Sequence, residues 1–168
     1  DSGRMVYETR EKISKFFGSS DPSKVIFTSN ATEGLNIVLF GLFCSGDHVI
    51  STVTEHNSVL RPLYKLEKTK NIGIDFIGID ESGKLKYDEF EKHIKENTKA
   101  IIVNHVSNVS GEIADLEYIG KTARKNNLYF IVDVSQSAGN IKIDMNKTGI
   151  DVLCFTGHKG LFGPGGTG

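Results

Sequence analysis

The sequence predicts an α/β fold with three layers, in which helices cover both faces of a mainly parallel central sheet. Three observations predict it. Runs such as 99–106 and 128–134 are apolar almost throughout rather than at every second residue, which is typical of strands buried on both faces. Segments with helical periodicity separate these runs. No internal repeat, linker or low-complexity stretch interrupts the alternation, so we expect one sheet joined by crossover helices.

The helical segments share an apolar face with a spacing of three and four residues. The first places Met5, Ile13, Phe16 and Phe17 on one face and is followed by Gly18, a residue that commonly ends helices. The predicted helices are residues 2–17, 32–43, 56–70, 87–96 and 116–126.

The extended segments are rich in β-branched and apolar residues. The predicted strands are residues 25–28, 47–51, 72–79, 99–106, 128–134 and 151–156. In a parallel sheet of this kind, ligands bind beyond the carboxyl ends of the strands. We therefore expect the functional side chains directly after the strands.

The bulk composition narrows the class of protein. The chain has 168 residues, 38% of them hydrophobic, and a net charge of −1, which suits one domain and argues against binding to nucleic acid or an anionic membrane. No apolar stretch approaches the ~20 residues that cross a bilayer. Cys44 and Cys154 lie in apolar runs without metal-site spacing, so we expect buried, unpaired thiols and a cytoplasmic protein.

Polar residues follow several strands, as expected for a ligand site. The turn 29–34 leads into a helix, whose N-terminus either binds an anion or is simply capped by Asn30 or Thr32. His56 begins the next helix and either stacks on a flat ring or is structural. Asn108 lies in a polar turn that, taken singly, is an ordinary loop.

Two residues point to a more specific chemistry. Asp133 ends the most apolar strand, where a carboxylate needs a cation or good donors unless it merely caps a turn or forms a salt bridge. Gln136 follows it. Lys159 lies between Gly157 and Gly160 at a strand exit, where glycines leave room beside an amine that can attack a carbonyl.

An anion site, a stacking ring, a buried carboxylate and an amine together match the needs of pyridoxal 5'-phosphate (PLP). PLP needs its phosphate held, its ring stacked, its pyridinium nitrogen paired and its aldehyde captured by a lysine. A nucleotide needs the anion site but neither the lysine nor the buried carboxylate. The combination predicts PLP as the cofactor, with no metal.

Five motifs occur in one order and spacing: Thr28–Asn36, Glu55–Ser58, His105–Asn108, Val132–Gly139 and Thr156–Lys159. With them the whole chain resembles the class V aminotransferase family, closest to its cysteine desulfurase branch. The resemblance implies the fold of the large domain of PLP-dependent transferases. It also implies L-cysteine as the amino-acid substrate, alanine and an enzyme-bound persulfide as products, a homodimer, and a protein that accepts the sulfur.

The resemblance also implies a role for each site residue. Lys159 would be the Schiff-base lysine and a general acid and base. His56, the second catalytic residue, would stack on the ring. Asp133 would pair with the pyridinium nitrogen and Gln136 with the ring hydroxyl oxygen. Asn108 would contact the cofactor or the substrate carboxylate.

Four residues would hold the cofactor phosphate in the same comparison. Ala31 and Thr32 would do so at a helix N-terminus, together with Thr156 and His158. Many relatives have Ser at position 156, and Thr keeps the hydroxyl group.

The chain also departs from the family pattern. The resemblance implies two further segments that residues 1–168 do not match: an N-terminal arm, and a small C-terminal domain that carries the nucleophilic cysteine and an arginine that binds the substrate carboxylate. We therefore expect residues 1–168 to be an incomplete PLP-binding large domain that is inactive alone. Neither Cys44 nor Cys154 stands in the place of the nucleophile.

Alternatives remain at this point. Residues 163–168 match GxGxxG literally, but the motif neither begins at a strand end nor precedes a helix, which argues against a dinucleotide site. Within the family, the parent enzyme is alternatively an aminotransferase, a selenocysteine lyase or a kynureninase-like lyase. A non-catalytic folded fragment is the third alternative.

Overall fold

The computed structural model describes residues 1–168 and contains a single five-stranded sheet. Its strands are β1 His48–Thr52, β2 Gly73–Ile77, β3 Thr98–Asn104, β4 Tyr129–Asp133 and β5 Val152–Cys154. The strands lie in the order β2-β1-β3-β4-β5, and every neighbouring pair is parallel. The predicted α/β class and mainly parallel sheet are confirmed.

The helices follow the predicted order with one addition. They are α1 Ser2–Phe16, α2 Ala31–Leu42, α3 Asn57–Lys70, α4 Glu89–Lys92, α5 Leu116–Lys125 and α6 Met145–Thr148, with a short 3-10 helix at Pro22–Lys24. Helix α4 is shorter than predicted. Helix α6 was not predicted, because four residues are too few to show periodicity.

The apolar side chains form two cores, one on each face of the sheet. On one face, Leu35 of α2 and Leu63 of α3 pack with Ile102 of β3. On the other face, Ile119 of α5 packs with residues such as Val103 of the same strand. Adjacent residues of a strand point to opposite faces, so the middle of β3, from Ala100 to Val103, is apolar on both faces. The three-layer prediction is confirmed.

The predicted strand at 25–28 is wrong. Val25 has an extended backbone, but the segment joins none of the five strands. Apart from a local bond of 3.2 Å from Val25 N to Pro22 O, its backbone pairing is limited to Thr28, which exchanges hydrogen bonds of 2.7 and 2.8 Å with Gly168. A β-branched segment becomes a strand only where a partner runs alongside it, and propensity alone does not supply one.

The predicted apolar face of α1 is only partly used. Phe17, directly after the helix, is 2% exposed, whereas Met5 is 69% and Phe16 is 53% exposed. The first half of α1 therefore leaves an apolar surface uncovered in this chain. Although α1 is the longest helix, neither it nor any other is long and apolar enough to cross a membrane.

The strand order creates a crevice between β1 and β3. Helix α3, which follows β1, packs on one face of the sheet, and α5, which follows β3, packs on the other. The two chains therefore separate as they leave the sheet, and such a divergence is the usual place for a ligand.

Candidate functional site

A cavity of about 260 Å³ opens at the carboxyl edge of the sheet. Loops that follow β1, β3, β4 and β5 meet there with the N-terminus of α2. The nine predicted site residues all line it: Ala31, Thr32, His56, Asn108, Asp133, Gln136, Thr156, His158 and Lys159. The structure thus brings together every side chain that the sequence selected, while their roles toward a cofactor stay predictions.

The N-terminus of α2 forms the anion-attracting end of the cavity. Asn30 does cap the helix, since its side-chain oxygen accepts a hydrogen bond of 2.9 Å from Glu33 N. The backbone N–H groups of Ala31 and Thr32 have no acceptor within the protein. Unpaired N–H groups at the positive end of a helix attract an anion. Capping and anion binding are therefore compatible in this turn.

Thr156 and His158 line the cavity from the loop after β5. Thr156 is buried, and its Oγ1 lies 2.9 Å from His158 Nδ1 and 3.3 Å from the carbonyl oxygen of Thr167. The threonine hydroxyl thus fixes the orientation of the exposed His158 ring. Both groups are available to a polar ligand.

His56 is held in one orientation by its own helix. Its ring serves as the N-cap of α3, because Nδ1 accepts a hydrogen bond of 3.1 Å from Ser58 N. Nδ1 is therefore unprotonated, and the proton of the neutral ring lies on Nε2. The hydroxyl of Ser58 lies 2.7 Å from the same Nδ1 and 2.8 Å from Thr32 Oγ1. One serine links the ring to the N-terminus of α2.

Asp133 is a buried carboxylate without a positive partner. It ends β4, is 6% exposed, and forms no salt bridge. Its Oδ1 accepts hydrogen bonds from Ser135 N at 2.9 Å and Ser135 Oγ at 2.6 Å. No donor of the chain reaches Oδ2. The salt-bridge alternative is wrong and the capping one holds for one oxygen only, because the second remains free for a donor.

Lys159 lies at the open rim of the cavity rather than deep inside it. The residue is exposed, and its Nζ forms neither a hydrogen bond nor an ion pair within the chain. The flanking glycines serve a different purpose from the predicted one. A Cβ at Gly160 would lie 2.7 Å from Asn140 Nδ2 and would collide with the carbonyl oxygen of Ala138. The space beside Gly160 holds the backbone of Ala138 and the side chain of Asn140, not the ammonium group.

Asn108 and Gln136 contribute uncommitted amides. Neither side chain forms a hydrogen bond within the protein, and Asn108 is exposed. They follow β3 and β4, so they flank Asp133 at the carboxyl edge. Two amides without partners can each both donate to and accept from a ligand.

Sequence reasoning missed part of the site. Asn30, Ser58, Asn104, Val106 and Ser135 also line the cavity. Asn104 ends β3 and pairs in register with Asp133. The expectation that polar residues at strand ends line the site could therefore have identified it. Ser58 gave no such signal, because its link to Thr32 joins residues 26 positions apart.

The remaining candidates lie elsewhere. Cys154 is buried in β5, as predicted, and burial raises the pKa of its thiol to about 12. Cys44 is exposed, so the prediction of a buried thiol is wrong there. Its run lies just past the end of α2, where the chain turns to the surface. Residues 163–168 form no helix and do not line the cavity.

Comparison with known proteins supports the same family. The Aminotransferase class-V family model matches residues 1–168. The chain is 39% identical over 165 residues to a probable cysteine desulfurase of Pyrococcus abyssi, covering 96% of this chain and 41% of the relative. The chain thus spans about two fifths of the length of such relatives.

Solved structures agree with the fold. The apo structure of a cysteine desulfurase from Thermococcus onnurineus NA1 superposes with a TM-score of 0.91 and 38% identity, over 96% of this chain and 41% of that one. A mutant of C-DES with glycine covalently linked to its PLP cofactor superposes with a TM-score of 0.89 and 25% sequence identity. The match covers 99% of this chain and 45% of that one. From its motifs, its fold and a family match along its entire length, we conclude that this chain belongs to the class V aminotransferase family.

Proposed function

We propose that this chain is the PLP-binding large domain of a cysteine desulfurase. One observation carries the proposal: an unpaired lysine and a buried carboxylate with a free oxygen, Lys159 and Asp133, line the same cavity. A carboxylate left without a cation in an apolar strand is costly. A protonated ring nitrogen would compensate it.

The rest of the cavity fits the other parts of PLP. The free N–H groups of Ala31 and Thr32 suit the phosphate, with Thr156 and His158 beside it. The fixed ring of His56 offers a flat surface for stacking. When bound, PLP supplies an electron sink for bonds at the α-carbon of an amino acid.

Four residues of this chain would have distinct roles toward the cofactor and the substrate. Lys159 would be the amine that holds the cofactor, and its Nζ would also serve to move a proton. Asp133 would pair with the ring nitrogen. Gln136 would hydrogen-bond the ring hydroxyl oxygen, and Asn108 would contact the cofactor or the substrate carboxylate. Each role uses a group that has no competing partner in the protein.

L-cysteine as substrate is supported by the names of the relatives. A homodimer is supported by the uncovered apolar residues of α1, such as Met5 and Tyr7, which an assembly would bury. A cytoplasmic location is supported by two free cysteines. A protein that accepts sulfur follows from the family resemblance alone.

The proposal is tested with the full-length protein that contains this chain. We expect it to be yellow, to release alanine from L-cysteine, and to retain PLP on the peptide with Lys159 after borohydride reduction. The variant Lys159→Ala should lose the covalent label and the activity without a change in melting temperature, because Nζ has no partner to lose.

Lys121→Ala is the matched control, since Lys121 is also exposed and forms no ion pair. It should keep colour, label and activity. A colourless wild-type protein, or a label on another lysine, would refute the PLP assignment. A labelled protein that converts other amino acids but not cysteine would refute the desulfurase assignment alone.

A further inference from the structure

Glu55 is a buried acid to which the proposed chemistry gives no role. It directly precedes His56 and is 8% exposed. Its Oε2 is the sole buried side-chain oxygen or nitrogen in the chain without a hydrogen-bond partner. It forms no salt bridge. A buried polar atom without a partner is rare enough to require a reason.

The other oxygen of Glu55 closes the crevice between β1 and β3. Glu55 Oε1 accepts hydrogen bonds from Asn104 N at 2.9 Å and from Thr52 Oγ1 at 2.6 Å. In return, Asn104 Nδ2 donates to the carbonyl oxygen of Thr54 at 2.7 Å. The loop after β1 and the end of β3 are thus tied together twice.

The topology explains why a side chain is needed here. His105 N donates to Asp133 O on the β4 side, so the N–H of Asn104 points to the β1 side. At this level β1 no longer pairs with β3, because the register between the two strands ends at Ile50 and Ile101, while Val53 N still bonds to Ile77 O of β2. Glu55 supplies the acceptor that the missing strand residue would have provided.

The surroundings favour an uncharged Glu55. Burial raises the pKa of its carboxyl group to about 8 even though Thr52 and Asn104 donate to it, and the charge of Asp133 acts in the same direction. Asp133, on β4, is the charged group that acts on it, and no lysine or arginine pairs with it. A neutral carboxyl group can leave one oxygen without a partner at far lower cost than a carboxylate can.

We propose that Glu55 is a positioning residue: its uncharged carboxyl group ties the loop that carries His56 to the strand ends that carry Asn104 and Asp133. Asp133 is the single acidic residue that lines the cavity, and an uncharged Glu55 places no second negative charge near it. The part of this proposal that concerns the cofactor rests on the proposed function. The tie itself and its protonation do not.

The protonation is tested by infrared spectroscopy on the full-length protein with and without PLP. The difference spectrum between wild type and Glu55→Gln at pH 7 should contain the C=O band of a carboxylic acid. This band should disappear from the wild type as the pH rises, with a midpoint of about 8. Carboxylate bands in the difference spectrum at pH 7 would overturn the proposal of an uncharged group.

The positioning role is tested by comparing Glu55→Gln with Glu55→Ala. Gln keeps an oxygen for Asn104 N and stays neutral, so at pH 7 the PLP dissociation constant and the cofactor absorption should match wild type. Ala leaves Asn104 N without an acceptor, and the dissociation constant should rise roughly tenfold. A Gln variant as impaired as the Ala variant, or an Ala variant equal to wild type, would overturn the role.

Amide hydrogen exchange at Asn104 gives a readout that does not depend on the cofactor. The exchange should accelerate in Glu55→Ala and not in Glu55→Gln, with or without PLP. Equal exchange in all three proteins would refute the tie. A wild-type protein that binds no PLP would refute the proposed function, while the infrared and exchange results would still decide the state of Glu55.

Discussion

Two polar clusters lie on the same sheet and differ in how their charges are satisfied. One is the cavity at the carboxyl ends of the strands. The other, called here the β1–β2 cluster, consists of His48, Asp75, His93 and Lys95. In this cluster a single oxygen, Asp75 Oδ2, lies 3.2 Å from His48 Nε2, 3.1 Å from His93 Nδ1 and 2.7 Å from Lys95 Nζ.

The pKa values of the β1–β2 cluster reflect this mutual satisfaction. Burial raises the pKa of Asp75, but hydrogen bonds from Lys95 and His93 outweigh it and hold the pKa below the ordinary range. Burial and the charge of Lys95 lower the pKa of His48. The buried histidine is therefore neutral beside an ionised aspartate, and the cluster needs no ligand.

The cavity shows the opposite arrangement. Lys159 has no partner, Asp133 uses one oxygen for its own turn, and the amides of Asn108 and Gln136 are free. A high density of polar side chains therefore does not by itself mark a functional site. A functional site is marked instead by polar groups that line one cavity and have no hydrogen-bond or ion-pair partner within the protein.

Replacing the aspartate of the cavity, Asp133, should change PLP affinity more than any other substitution compared here. Asp133→Asn should raise the PLP dissociation constant by about 10- to 100-fold, because a charge-assisted hydrogen bond becomes a neutral one. Asn still accepts from Ser135, so the free energy of unfolding should not fall. Absorbance titration and urea unfolding of the full-length protein measure both. Unchanged PLP affinity would show that Asp133 does not meet the ring nitrogen.

Asp75→Asn should have the reverse pattern and a smaller effect. The free energy of unfolding should fall by about 1 kcal/mol, since the cluster loses its single anion but is partly screened by solvent. PLP affinity should not change, because Asp75 lies outside the cavity. Urea unfolding and the same titration measure this. A change in PLP affinity with intact stability would contradict the division between the clusters.

The smallest expected effect concerns the link within the cavity. Ser58→Ala removes the hydroxyl between His56 and Thr32, and PLP affinity should weaken about threefold, as for the loss of one ordinary hydrogen bond. Ser58→Thr should restore it. Ser82→Ala, which removes an exposed hydroxyl bonded to Asp80, is the control and should have no effect. Equal affinity in all variants would show that His56 is oriented by its backbone contact alone.

The sequence was most informative where local pattern and burial agree. The apolar runs around β3 and β4 identified central strands, and the polar residues after them identified the cavity. It failed at residues 25–28, where strand propensity is present but no partner strand runs alongside. It failed also at Cys44, because an apolar neighbourhood in the sequence does not ensure burial at a helix end.

The site residues could be recognised from their chemistry in the sequence, but the contacts that position them depend on the folded structure. Lys159 and Asp133 stood out because an amine at a strand exit and a carboxylate in an apolar strand are unusual locally. The links through Ser58 and Glu55 could not be found this way, since Glu55 meets Asn104 across 49 positions. Such contacts exist only after the sheet has brought β1 and β3 together.

Sequence pattern alone identified the layered fold, the family and nine of the 14 residues that line the cavity, because each leaves a local mark in composition or spacing. Folding sets which charged groups neutralise one another. It placed three nitrogen atoms around one oxygen of Asp75, left Asp133 and Lys159 without a salt bridge, and buried Glu55 where a strand ends. Electrostatic satisfaction depends on distances between segments far apart in the chain, and only the folded chain sets them.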